Sequence, residues 1–226
     1  MAAPSLIERI DPARVAARLR EARDRIADAC ARSGRDPAGV DVLVATKYLA
    51  ADQVPLLADA GVELVGENRA QALVEKVALP GADRLRWEFI GHLQSRKVPD
   101  VLPHVRRIHS VSSDSVLRRL ERHRDLAPAG FDVLIEVNVS GEEAKSGIAP
   151  EELGAVIERC PVPVAGLMTM PPFAEDPEDS RRWFAALRDL AERHQLGVLS
   201  MGTSQDYAVA VEEGATVVRL GSTLLR

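Results

Sequence analysis

The chain contains four lysines, and one of them, Lys47, closes an apolar run over Val40–Thr46. An ammonium group at the end of a buried strand is costly without a partner. Such a lysine either snorkels to solvent or serves as an amine for carbonyl chemistry. Far along the sequence lie two turns of small residues, Ser200-Met201-Gly202-Thr203-Ser204 and Arg219-Leu220-Gly221-Ser222-Thr223. Small hydroxylated residues and a glycine ahead of a helix leave backbone N–H groups free to receive an anion. A plain helix cap by Thr203 or Ser204 would use the same residue types. An amine at one point and an anion cradle at another suit a phosphorylated aldehyde, and pyridoxal 5′-phosphate (PLP) is such an aldehyde. Arg219 falls two residues before Gly221, on the same side of an extended chain. Beside a pyridine ring an arginine would keep the nitrogen unprotonated and make the ring a weaker electron sink than an aspartate would. The competing role is an ordinary ion pair with a nearby acid.

For these residues to meet, the elements must bring the first strand beside the last two. Apolar or β-branched runs read as strands over Val40–Thr46, Val62–Val65, Trp87–Ile90, Arg107–Val111, Phe131–Val139, Val164–Met168, Val198–Met201 and Thr216–Leu220. Helical patterns separate them, over Ala51–Ala60, Asn68–Val77, Leu93–Leu102, Ser113–Leu126, Pro150–Arg159, Asp176–Gln195 and Ser204–Glu213. Strand and helix in alternation imply parallel strands joined by crossover helices. Eight such units predict a closed (β/α)8 barrel of the TIM type, with functional groups at the C-terminal strand ends and phosphate after strands seven and eight. A doubly wound sheet shares the alternation, but no G-x-G-x-x-G follows the first strand. An extra helix from about Ser5 to Arg32 carries an apolar stripe of Val15, Leu19, Ala22, Ile26 and Ala29, ended by Ser33-Gly34 and Asp36-Pro37. Residues 1–226 are expected to form one barrel domain, with 1–35 packed on it as the extra helix. Pro171–Asp179 is the candidate for a long exposed loop.

A net charge of −5 and scattered arginines give no basic stripe, which argues against nucleic acid as a partner. Cys30 and Cys160 make neither a disulfide framework nor a zinc site. His92 lacks ligand-spaced neighbours, so no metal is expected. Lys145-Ser146-Gly147 lacks the upstream glycines of a P-loop. No signal-peptide or membrane-length apolar run occurs, and a cytoplasmic location away from membranes is expected.

Several segments together carry a family likeness. VATKYLAADQVPLLADAGVELVGENRAQ, WEFIGHLQSRK, EVNVSGEEAKSGI, GLMTM and LSMGTSQDYAVAVEEGATVVRLGS follow one another in order after about Val40. The chain resembles the YggS/PROSC family of PLP-binding homeostasis proteins. The resemblance implies a fold similar to the N-terminal barrel of alanine racemase, fold-type III, with PLP held as a Schiff base on Lys47. It implies phosphate contacts near Ser200, Gly202, Thr203, Ser204, Gly221 and Ser222, Arg219 by the pyridine nitrogen and Asn68 near the ring. Where the family has G-M-S this chain has Gly202-Thr203-Ser204, where it has G-E-N-Y it has Gly66-Glu67-Asn68-Arg69, and Leu224-Leu225-Arg226 replaces an F-G-x-R tail.

Three functions remain to be separated. The first is a PLP carrier or regulator of vitamin B6 balance without turnover, acting as a monomer with apo PLP-dependent enzymes as recipients. The second is a fold-type III racemase or decarboxylase. The third is a sugar-phosphate aldolase using Lys47. A two-base racemase needs a proton carrier opposite the lysine. With six residues after Leu220, no second domain is expected to supply it. Tyr48 is expected to point away from Lys47 along the strand, and Tyr207 to pack in a helix. The carrier is therefore the favoured reading.

Overall fold

The computed structural model describes residues 6, 7 and 9–225. Its strands are β1 (Asp41–Ala45), β2 (Leu64–Glu67), β3 (Arg86–Phe89), β4 (Arg107–Val111), β5 (Asp132–Glu136), β6 (Val164–Met168), β7 (Val198–Thr203) and β8 (Val217–Leu220). Each pairs in parallel with the next, and β8 pairs with β1, which closes the expected eight-stranded barrel. The helices are α1 (Pro12–Ser33), α2 (Leu56–Asp59), α3 (Ala70–Val77), α4 (Val98–Val101), α5 (Asp114–His123), α6 (Leu153–Arg159), α7 (Arg181–Arg193), α8 (Tyr207–Glu212) and α9 (Ser222–Leu225).

The differences from the sequence reading have local causes. Helix α1 starts at Pro12, because Asp11 Oδ1 accepts the Ala13 N–H at 2.9 Å and a proline follows at the first helical position. Ser5 lies outside the described residues. Prolines at 55, 99 and 103 remove backbone donors, so the segments expected as α2 and α4 form single α turns flanked by 3-10 turns. Strand β5 ends at Glu136, since Val137 bridges to Ile148 on the returning loop. Strand β7 runs to Thr203, and its pairing with β8 slips between Ser200 and Thr203, where three steps on β7 match two on β8.

Both faces of the sheet are covered, as a parallel barrel requires. Outside, strand residues such as Val44, Val65, Ile108, Ile135 and Leu220 pack under the helices in one large apolar core. Inside, Leu43, Leu64 and Val217 cluster, with Ile90 and Val198 against them. Side chains two residues along share that inner face. Glu88, Ser200 and Arg219 therefore also point inward, and all three are buried. Helix α1 buries its stripe against α2, α8 and α9. The Arg35 guanidinium anchors it by donating to the carbonyls of Val211 at 2.5 Å and Ala215 at 2.9 Å. Ion pairs of Arg32 and Arg181 with Glu212 tie α1, α7 and α8 together at the surface.

Candidate cofactor site

At the C-terminal mouth of the barrel lies a cavity of about 510 Å³, within the range of roughly 300–1,000 Å³ usual for small-molecule sites. Lys47, Tyr48, Asn68, Met170, Thr203, Ser204, Arg219, Gly221 and Ser222 are among its lining residues. Strand β1 has already ended at Ala45, and Thr46–Tyr48 forms a 3-10 turn. Strand alternation therefore no longer applies, and the expectation that Tyr48 points away from Lys47 is overturned. Both side chains face the cavity, with Lys47 Nζ 4.9 Å from the Tyr48 ring centroid.

Lys47 stands on a buried polar foundation. Thr46 Oγ1 donates to Glu67 Oε2 at 2.7 Å, and Lys76 Nζ donates to the same oxygen at 2.5 Å and to the Thr46 carbonyl at 2.9 Å. Glu67 Oε1 accepts the Asn68 N–H at 2.7 Å and the Arg69 N–H at 3.2 Å. A charge this deeply buried needs such partners. The other three of the four lysines are otherwise engaged: Lys76 in this pair, Lys97 with Asp100 at 3.0 Å, and Lys145 on the Pro171 carbonyl at 3.3 Å. Among the described residues, Lys47 is the one lysine that lines the cavity.

The two small-residue turns meet across the cavity wall. Gly202 has φ +87°, and a Cβ there would lie 2.6 Å from Ala210 Cβ. A Cβ on Gly221 would come within 2.9 Å of Tyr48 Cε2. Ser204 Oγ accepts the Gly221 N–H at 3.3 Å, joining one turn to the other. Asp206 Oδ1 accepts both the Thr203 N–H at 2.7 Å and its hydroxyl at 3.1 Å, which fixes the first turn. A group with a phosphate at one end and an aldehyde at the other fits this wall: Gly221 keeps it open, Gly202 lets the first turn pack against α8, Ser204 and Ser222 line it, and the Lys47 amine lines the same cavity. Asn68 Oδ1 is buried without a hydrogen-bond partner at the same cavity, an acceptor that a polar ligand edge would satisfy.

Arg219 is buried and has no acidic partner within ion-pair distance among the described residues. Its NH1 donates to Ser200 O at 2.7 Å and Ser200 Oγ at 2.5 Å, and its NH2 to Thr169 O at 2.8 Å and Met170 Sδ at 2.9 Å. Burial lowers its pKa to about 10, against the opposing influence of Asp206 and Glu136, so it remains a cation. Ser200 is not placed at the phosphate turns. Its side chain is fully buried beneath them, and its hydroxyl is shared between Arg219 and His109 Nδ1, the latter at 2.9 Å. The slip in β7 separates it from Gly202–Ser204.

Sequence reasoning missed Tyr48, Met170, Lys76, Glu67, Glu88 and His109. Glu88 and His109 left a signal, since each is a titratable residue in the middle of a buried strand. His109 Nε2 lies 2.6 Å from Glu88 Oε2, and Arg106 Nε donates to Glu88 Oε1 at 2.6 Å. Burial alone would raise the Glu88 carboxyl, but the His109 and Arg106 hydrogen bonds and the nearby Arg107 outweigh it and bring the pKa down to about 2. Burial pushes the His109 pKa down, Glu88 opposes this, and Arg219 and Arg107 add to the lowering.

The sequence model of the family described as alanine racemase, N-terminal domain, matches residues 10–225. A pyridoxal phosphate homeostasis protein of Aquifex aeolicus is 41% identical over 218 residues, covering 92% of this chain and 95% of the relative. The crystal structure of an unknown protein from Bifidobacterium adolescentis superposes with TM-score 0.87 at 31% identity, over 97% of this chain and 98% of that one. PipY of Synechococcus elongatus, solved with PLP bound, superposes with TM-score 0.77 at 30% identity, over 94% of this chain and all of its own. No helix among the described residues is long and apolar enough to cross a membrane.

Proposed function

We propose, since this chain belongs to the alanine racemase N-terminal domain family and within it to the pyridoxal phosphate homeostasis proteins, that it binds PLP on Lys47 and serves PLP homeostasis as a carrier. The observation that carries this reading is Lys47 itself: an amine at the cavity, without an ion-pair partner among the described residues, lining it together with two turns of small residues. When bound, PLP supplies an aldehyde that an amine captures reversibly and a pyridine ring that draws electrons. Lys47 provides the amine. The turns of Gly202, Thr203 and Ser204 and of Gly221 and Ser222 border the phosphate; Asp206 holds the Thr203 N–H and hydroxyl and Ser204 holds the Gly221 N–H, so the hydroxyls of Ser204 and Ser222 are the side-chain donors offered to it. Asn68 presents its unpartnered acceptor to the ring edge. Arg219 donates toward the ring nitrogen, and Ser200 acts through Arg219 rather than on the phosphate.

The carrier reading rests on the proton-transfer groups at the wall. Of the described residues lining the cavity, Lys47 and Tyr48 carry the titratable side chains suited to relaying a proton, Arg219 being held as a cation, and Lys47 Nζ lies 4.9 Å from the Tyr48 ring centroid. Racemisation needs relays on opposite faces. The reading further holds that the protein is a cytoplasmic monomer and that apo PLP-dependent enzymes receive its cofactor. Mixing the protein with PLP should produce a visible absorption band that Lys47→Ala removes. Adding D- or L-alanine to the loaded protein should yield no sustained product. Sustained turnover would overturn the carrier reading in favour of a fold-type III enzyme, and a protein left colourless by PLP would overturn PLP binding itself.

A further inference from the structure

The barrel interior holds a line of buried polar side chains that the binding of PLP does not by itself require. Glu88 on β3, His109 on β4, Ser200 on β7 and Arg219 on β8 are joined end to end at 2.6, 2.9 and 2.5 Å. Their buried positions make each donor and acceptor count. The direction of the bonds follows from the two ends together, because a guanidinium only donates and a carboxylate only accepts. His109 Nε2 must carry the proton it shares with Glu88, and Ser200 Oγ, which accepts from Arg219, gives its hydroxyl proton to His109 Nδ1. Nδ1 is then the unprotonated nitrogen, and the ring proton sits on Nε2, donated to the Glu88 carboxylate. The other Glu88 oxygen is held by Arg106, with Arg107 3.9 Å away and itself paired to Asp132.

At the other end, the four bonds to Ser200 O, Ser200 Oγ, Thr169 O and Met170 Sδ use the N–H groups of both terminal nitrogens of Arg219. A guanidinium carries five N–H groups. The one left, on Nε, is the donor that Arg219 keeps for whatever fills the cavity it lines.

We propose that Glu88, His109 and Ser200 are positioning residues of the cofactor site: they form a one-directional hydrogen-bond chain that fixes the Arg219 guanidinium, and through it they keep the pyridine nitrogen of bound PLP unprotonated. The inference rests on the PLP reading above for its last step only. The chain works by elimination of alternatives. If His109 were protonated, Nδ1 would also donate to Ser200, and a second cation would stand one hydroxyl away from Arg219. Glu88 faces His109 from β3 and Arg107 from β4, Arg219 faces it from β8, and Glu136 and Asp206 act on Arg219 from the mouth. The strongest acceptor in that set, Glu88, is on the Nε2 side, which favours the same tautomer.

Two measurements test this, and they fail independently. The first needs no cofactor: nitrogen-15 NMR of the histidines in the unloaded full chain, with the His109 signals assigned by their loss in His109→Gln. His109 should be neutral with its proton on Nε2, and should remain so from pH 8 to pH 5. A proton on Nδ1, or an imidazolium at neutral pH, would overturn the chain whatever binds above it. The second uses the loaded protein after borohydride reduction and follows the ring-nitrogen titration by absorbance. Ser200→Ala and His109→Leu should raise the apparent pKa of that nitrogen by about one unit, a tenfold gain in proton affinity. His109→Gln, whose amide offers an acceptor and a donor at similar spacing, should stay near the wild-type value. An unchanged titration in Ser200→Ala would overturn the positioning role. Ser200→Ala removes a single oxygen and carries the test should His109→Leu not fold. If borohydride fixes no PLP at all, the PLP reading fails and the NMR result still judges the chain.

Discussion

Replacing Lys76 with methionine is expected to destabilise the protein by about 3–5 kcal/mol, the cost of leaving a buried charge without its counter-ion. Side-chain exposures of 4% for Lys76 and 0% for Glu67 place this pair out of reach of water. Glu67 would keep three donors, Thr46 Oγ1 at 2.7 Å and the backbone N–H groups of Asn68 and Arg69 at 2.7 and 3.2 Å, but no cation. The Thr46 carbonyl would lose its 2.9 Å donor as well, which adds about 1–3 kcal/mol if nothing replaces it. Glu67→Gln alone should also be costly, because the amide nitrogen would face the donors Lys76 Nζ and Thr46 Oγ1. The double variant Lys76→Met/Glu67→Gln removes both problems: the amide oxygen keeps the two backbone N–H groups, and the amide nitrogen can donate to Thr46. The double should therefore be more stable than the sum of the singles by about 2 kcal/mol or more, a coupling typical of residues within one network. Urea unfolding of the cofactor-free protein, followed by circular dichroism, measures all four corners of the cycle. Additivity to within about 0.5 kcal/mol would refute the buried pair as the foundation of the Lys47 turn. So would a cost below about 1 kcal/mol for Lys76→Met, the usual worth of an exposed pair.

Other perturbations probe the remaining parts. Glu88 goes from 4.5 unfolded to about 2 folded, so its stabilisation is complete above pH 4.5 and is lost as pH falls toward 2. That span of about 2.5 is worth about 3 kcal/mol, and Glu88→Gln should flatten the acid limb of stability against pH over that interval in urea melts. His109, lowered below 6.5, should add a loss that begins as pH drops under 6.5, when the unfolded chain takes up a proton that the folded one refuses. Gly202→Ala combines φ +87° with a Cβ 2.6 Å from Ala210; it should cost about 2–4 kcal/mol of stability and weaken PLP binding, both measurable by thermal melts and absorbance titration. Asp206→Asn keeps the acceptor for Thr203 and removes a negative charge from the phosphate wall. It should tighten PLP binding by up to about tenfold, equivalent to ~1.4 kcal/mol, and weaker binding would contradict the placement of the phosphate there.

The barrel was legible because each strand is an apolar run bounded by a helix signal, and the α1 stripe was legible from its three- and four-residue spacing. Lys47 stood out as a charge at the end of such a run. The neighbourhood of Tyr48 was not legible, because the chain leaves β1 through a 3-10 turn held by Thr46 and Glu67, a tertiary contact. The real position of Ser200 depended on the slip in β7 opposite β8, and pattern reading extends a strand without such breaks. The Glu88–His109–Ser200–Arg219 line spans β3, β4, β7 and β8. Its partners are set by how the closed barrel folds its inner face together, which no local window of sequence contains.

PLP capture by this barrel turns on the amine of Lys47. Borohydride reduction of the protein loaded with PLP, followed by peptide mass mapping, locates the captured cofactor directly. One phosphopyridoxyl group per chain is expected, on the peptide carrying Lys47, and none in Lys47→Ala. A modification found instead on Lys76, Lys97 or Lys145, or one that persists in Lys47→Ala, would contradict it.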